Sequence, residues 1–168
     1  MLTFSMAIGL FIGRFQPFHK GHLWAVKNIL KECDKVIIGI GSSQYSRTAT
    51  NPFTMDERKD IIVECLKEHN IRDYAIFSVP DVHDDNEWVR HVQRIIPHFD
   101  FVYTGSPLSR KLFTESGYVI KDLPRYKNIS ASEIRLRMTK GLNWEEMVPC
   151  PKMLKRMNAI VKVKKFSS

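Results

Sequence analysis

The residues from Gly13 to His22 read GRFQPFHKGH and set two imidazoles, an arginine, a lysine and two glycines directly behind the apolar run MAIGLFI. Such a set can bind metal, cradle phosphate or cap a turn. A zinc site takes three or four ligands, whereas His19 and His22 supply two, and no other Cys or His stands nearby in sequence. A turn cap accounts for the histidines but not for Arg14, Gly21 or the place of the motif. Phosphate accounts for all of them. Gly13 and Gly21 let backbone approach an anion, Pro17 stiffens the turn, and free N–H groups at a helix start attract negative charge. His19 and His22, three apart across that start, point the same way. Neither G-x-G-x-x-G nor G-x-x-x-x-G-K-[ST] is present, so the dinucleotide fingerprint and the P-loop are excluded.

The elements that must position this motif follow from hydrophobic period. Residues 7–12, 35–40, 75–79, 101–103 and 118–120 are short apolar runs without strict polar alternation, as expected of strands covered on both faces. Between the first two, Leu23, Val26, Leu30 and Cys33 recur at helical spacing. The stretch TMDERKDIIVECLKEH opens on a Thr54/Glu57 capping box and places Met55, Arg58, Ile61, Ile62, Cys65 and Leu66 on one side. Further helices are expected over 86–96, before Pro97, and over 108–114. Alternating strands and helices predict a Rossmann-like α/β fold: a doubly wound parallel sheet of about five strands, binding ligands at the strands' carboxyl ends. The motif then occupies the first βα junction.

The bulk properties restrict the function classes. With 168 residues, 43% hydrophobic and 26% charged, the chain suits a single domain spanning 1–168, its core over 7–150 and a basic helix or tail over 151–168. The longest uncharged apolar run falls short of the roughly 20 residues that span a bilayer, so neither a membrane anchor nor a signal peptide is expected. Cys33, Cys65 and Cys150 are odd in number and widely spaced, which reads as reduced thiols in the cytoplasm. The formal charge of +8 draws on Lys152, Lys155, Arg156, Lys162, Lys164 and Lys165, with no acidic residue after Cys150, so nucleic acid is not an expected partner.

The segment GRFQPFHKGH resembles the H-x-G-H signature of nucleotidyltransferases, with Lys20 in the variable position. ISASEIR, Ile129–Arg135, is similar to that superfamily's I-S-[ST]-[ST]-x-[IV]-R element. On its own terms it holds an S-x-x-E capping box at Ser130 and Glu133, a plain helix start that also offers N–H groups to an anion. IGSSQYSRTATNPFTMDER, Ile40–Arg58, resembles the GSAQ…S…NPFT..ER region of archaeal-type nicotinamide mononucleotide adenylyltransferases, and DFVYTGSPLSRKLF resembles their FD.VY.GNPLV..LF. The match runs, with gaps, from about residue 8 to Pro149.

The resemblance implies transfer of an adenylyl group from ATP to nicotinamide mononucleotide, giving NAD and pyrophosphate. It assigns His19, His22, Arg14 and Arg135 to catalysis at the triphosphate, with Lys20 in support. It places Gly13, Phe15, Gly21, Thr104, Gly105, Ser106, Ser130 and Ser132 on ATP, and Gly41, Ser42, Arg47, Asp85, Asn86 and Trp88 on the mononucleotide, with Thr50 beside Arg47. Asp85 stands where the family commonly has Asn, and Ser106 replaces the Asn of GNP. Trp88 has two readings, a core residue on an amphipathic helix or a platform for the pyridine ring. Magnesium would arrive mainly on ATP, with no metal held by the protein, and relatives of this type form homo-oligomers, often hexamers. A related transferase acting on phosphopantetheine, flavin mononucleotide or a cytidylyl acceptor shares the clamp but gives no reason for NPFT and Trp88. A non-catalytic nucleotide-binding module would bind without releasing pyrophosphate.

Overall fold

The computed structural model describes residues 6–123 and 125–163. Strands β1 (Ile8–Gly13), β2 (Lys35–Gly41), β3 (Tyr74–Val79), β4 (Phe101–Thr104) and β5 (Val119–Ile120) alternate with helices α1 (Lys20–Glu32), α2 (Met55–Glu68), α3 (Asp85–Ile95) and α4 (Pro107–Glu115). Helices α5 (Ala131–Lys140) and α6 (Pro151–Val163) follow. All strand pairs are parallel, in the order β3-β2-β1-β4-β5. The order reverses between β1 and β4, which opens a crevice at their carboxyl ends.

Side chains alternate across the sheet as strand geometry requires. Phe11, Val36, Ile38, Ile40 and Tyr103 face the core on one side, with residues of α1, α2, α5 and α6. Leu10, Ile12, Ile37 and Val102 face the other, against Val89 and Val92 of α3 and Phe113 of α4. On α1 the buried stripe is Leu23, Ala25, Val26 and Ile29, while Leu30 is only half-buried, so the helix sits rotated from the expected Leu30 face toward Ile29. The Thr54/Glu57 box forms as expected: Thr54 accepts from the Glu57 N–H, and Glu57 from the Thr54 N–H.

The basic segment after Cys150 has a structural place. Helix α6 buries Met153 and Met157, and Lys152 and Arg156 pair with Glu68 and Asp60 of α2 at 3.4 and 2.7 Å. The methionines hold the helix: burial of such a side chain is worth roughly 1.5–3 kcal/mol, against ~0–1 kcal/mol for an exposed ion pair. Lys164 and Lys165 lie outside the described residues. Among the described residues no helix is long and apolar enough to cross a membrane.

Candidate active site

A cleft of about 810 Å³ opens over the carboxyl ends of β1 and β4, floored by the GRFQPFHKGH loop. Helix α1 begins there with His19 as its N-cap. The His19 Nδ1 accepts the Gly21 N–H at 3.1 Å and the His22 N–H at 3.4 Å. The His22 Nδ1 accepts the His19 N–H at 3.3 Å. This is a capping box built from two imidazoles, and it determines their tautomers. Both Nδ1 atoms are acceptors, so each ring carries its proton on Nε2, the donor left for the cleft. Gly21 is required here: a Cβ would stand 2.9 Å from the His19 ring.

The rings stack on one another and sit in an aromatic cage. Phe15 meets His22 edge-on at 4.9 Å and Phe18 stacks on it at 5.5 Å. Burial takes the His19 pKa down to about 4. Burial, then the neighbouring His19, holds His22 well below the usual imidazole range. Both are neutral at pH 7, so the histidines act as dipolar donors and the arginines carry the positive charge. Phe15 adopts a left-handed backbone (φ 51°) to turn the chain under this cage.

Charge in the cleft is divided. Arg14, exposed at the end of β1, and Arg135 both line it. Arg135 donates to the Gln16 carbonyl at 2.9 Å and to the Ser132 hydroxyl at 3.2 Å, which ties α5 to the motif. Ser130 caps α5 by accepting the Glu133 N–H at 3.1 Å, while the Glu133 carboxylate turns to Arg137 at 2.7 Å. Thr104, Gly105 and Ser106 form the β4 lip, where Ser106 caps α4. Across the cleft lie Gly41, Ser42, Asp81, Asp84, Asp85 and Trp88. Ser42 donates to Asp81 at 2.8 Å, joining the loops that follow β2 and β3. Trp88 packs on the core face of α3 and also lines the cleft.

Some expected residues lie elsewhere. Arg47 is outside the cleft lining because both arms of its guanidinium hold Glu57, one at 2.6 Å, and it also donates to the Pro52 carbonyl. Thr50 hydrogen-bonds within its own loop, to Thr48 and Asn51. Asn86 is exposed and off the lining, with its N–H capped by Asp84; Lys20 is also off the lining. The NPFT loop therefore serves as scaffold. Gln16, fully buried, accepts the Phe53 N–H at 2.9 Å and donates to the Phe53 carbonyl at 2.8 Å, pinning that loop to the motif.

Sequence reasoning missed Arg125, Tyr126 and Lys127, which line the cleft from the loop after β5. Two cations and an aromatic in the loop five to seven residues beyond the last strand are the signal that could have found them. Among the described residues no group of three or more His, Cys, Asp or Glu is placed to hold a metal.

The family model described as cytidylyltransferase-like matches residues 10–137. The nicotinamide-nucleotide adenylyltransferase of Thermoplasma volcanium is 44% identical over 161 residues, 94% of this chain and 90% of the relative. The chain belongs to that family. The enzyme of the same name from Methanococcus vannielii is 48% identical over 140 residues, 82% of this chain and 81% of its own. Among solved structures, a bifunctional NMN adenylyltransferase/ADP ribose pyrophosphatase from Francisella tularensis, complexed with AMP and a manganese ion, matches with a TM-score of 0.74 and 27% identity. That match covers 95% of this chain and 49% of the bifunctional chain, so this protein spans about half its length.

Proposed function

We propose that the protein transfers the adenylyl group of ATP to nicotinamide mononucleotide, forming NAD and pyrophosphate. The observation that carries this reading is the pair of neutral imidazoles at the start of α1, each with Nε2–H left for a cleft that Arg14 and Arg135 also line. Donors and fixed cations so arranged suit a triphosphate. The far side of the cleft suits the acceptor: Asp85 and Trp88 stand one turn apart on α3, and an N-alkylated nicotinamide ring is a cation that an aromatic face and carboxylates attract.

In the proposed reaction an oxygen of the mononucleotide's 5′-phosphate bonds to the α-phosphorus of ATP. The bond from that phosphorus to the α,β-bridging oxygen breaks in line, and its electron pair leaves with pyrophosphate. The nucleophile is already an anion at neutral pH, so no general base is required. The protein's work is to align two polyanions and stabilise the leaving oxygen. His22 Nε2–H donates at the α-phosphate, His19 beside it, and Arg14 and Arg135 hold the β- and γ-oxygens. The N–H groups at the α5 start, with Ser130 and Ser132, extend that cradle. Gly13, Phe15 and Gly21 shape the floor beneath the triphosphate, and Thr104, Gly105 and Ser106 meet adenine or ribose. Gly41, Ser42, Asp85 and Trp88 receive the acceptor. ATP enters as its magnesium complex, with water completing the ion's shell.

Incubation with ATP, Mg²⁺ and a panel of acceptor phosphates, with products separated by chromatography, tests the reading. NAD should form with nicotinamide mononucleotide, and phosphopantetheine, flavin mononucleotide and a cytidylyl acceptor should give nothing comparable. On resemblance alone the proposal includes a cytoplasmic homo-oligomer, which sedimentation velocity tests.

A further inference from the structure

The face of α2 expected to be apolar carries one charged residue, Arg58, and it is fully buried. Its five N–H donors meet five backbone carbonyls and no carboxylate. Nε donates to Thr54 at 3.3 Å, Nη1 to Arg14 and Gly41 at 2.9 Å each, and Nη2 to Ser42 and Ser43 at 3.3 Å each. Arg14 ends the β1 side of the cleft, while Gly41 to Ser43 end the β2 side. The two strand ends are adjacent, since Gly13 registers with Ile40, and a Cβ on Gly41 would stand 3.6 Å from the Gly13 carbonyl oxygen.

We infer that Arg58 is a positioning residue: its planar fork clamps the Arg14 carbonyl against those of Gly41, Ser42 and Ser43, and so sets the gap between the two bound nucleotides. The inference rests on the proposed function, in which the β1 loop holds ATP and the β2 loop the acceptor. Lysine cannot replace it, because an ammonium offers three donors from one point where this site needs five in a plane. The site is costly to build. Burial, then the nearby Arg14 charge, lowers the Arg58 pKa to about 10, so the group remains a cation at neutral pH. A fold needing only to join β2 to α2 could use an apolar side chain at this position on the core face.

A clamp that sets a gap has a specific kinetic signature. Each nucleotide still meets its own half of the cleft, while the attacking oxygen and the α-phosphorus fall out of reach. Misplacement on the order of 1 Å costs about a hundredfold in rate. The test is Arg58→Lys and Arg58→Gln, with the Tm of each variant, the Kd of ATP and of nicotinamide mononucleotide measured separately by calorimetry, and kcat at saturation. Each Kd should stay within about threefold of the parent while kcat falls about a hundredfold in the folded variants. A folded variant with kcat within about threefold of the parent overturns the inference. So does loss of both affinities in parallel with kcat, or failure of both variants to fold, since either marks a structural role. A parent protein that makes no NAD overturns the proposed function itself, and is distinguished from these by the parent control.

Discussion

The imidazoles of His19 and His22 lie face to face, with ring centroids 3.6 Å apart and planes 22° apart, and each Nδ1 accepts a backbone N–H of the same helix start. Two charged rings could not stack this way at low cost, so the arrangement belongs to the neutral pair. In the proposed reaction, neutrality suits donors that must release pyrophosphate as readily as they bind the triphosphate.

Stability should therefore depend on pH. The His19 pKa is about 4 in the folded protein and about 6.5 unfolded, so between these values the unfolded chain binds more protons. Stability is fully present above pH ~6.5 and declines as pH falls toward 4, by roughly 3 kcal/mol from His19. Thermal melts across that range should show it. His19→Asn, which keeps a good N-cap, should remove the His19 share and leave only the decline due to His22, giving a shallower profile; an unchanged slope would contradict the assignment.

In the proposed reaction His22 donates at the α-phosphate. His22→Ala should lower kcat by about 10²–10³-fold, the usual loss for one donor at a developing oxyanion. The measurement is steady-state kinetics on protein whose circular dichroism matches the parent. Activity within about threefold of the parent would remove His22 from the mechanism.

Trp88 both packs on the core and lines the side of the cleft proposed for the acceptor. Trp88→Ala should raise KM for nicotinamide mononucleotide about tenfold, the order expected from one lost aromatic contact, and leave KM for ATP unchanged. Equal effects on both substrates would assign Trp88 to packing alone.

Arg47 provides the contrasting case. Because its guanidinium holds Glu57 at the start of α2, Arg47→Ala should lower Tm by a few degrees, about 1 kcal/mol for a partly exposed pair. KM for the mononucleotide should be unmoved. A tenfold rise in that KM at unchanged Tm would return Arg47 to the site.

What the sequence disclosed divides by the range of the interaction. Strand limits and the Thr54 cap are local matters, and β1, β2, β3 and β4 lie within a residue of the apolar runs that predict them. The H-x-G-H glycine and histidines also act within one turn. The pairing of Gln16 with Phe53, and of Arg58 with Arg14, spans 37 and 44 positions, and no local period encodes it. Arg47 illustrates the same limit. A cation in a loop beside a binding strand reads as a ligand contact until the fold brings Glu57 to it. Arg125 and Lys127 were overlooked for a related reason: their loop has no period, and only the position of β5 at the sheet edge carries it over the cleft.

Adenylyl transfer by direct attack on the α-phosphorus fixes where each phosphorus of ATP must go. The most direct measurement follows the phosphorus atoms of ATP, labelled in separate incubations at the α- or the γ-position, with Mg²⁺ and nicotinamide mononucleotide. The α-label should appear in NAD and the γ-label in pyrophosphate, each only when the acceptor is present. Label passing from the γ-position to the acceptor, or pyrophosphate released without it, would exclude direct adenylyl transfer.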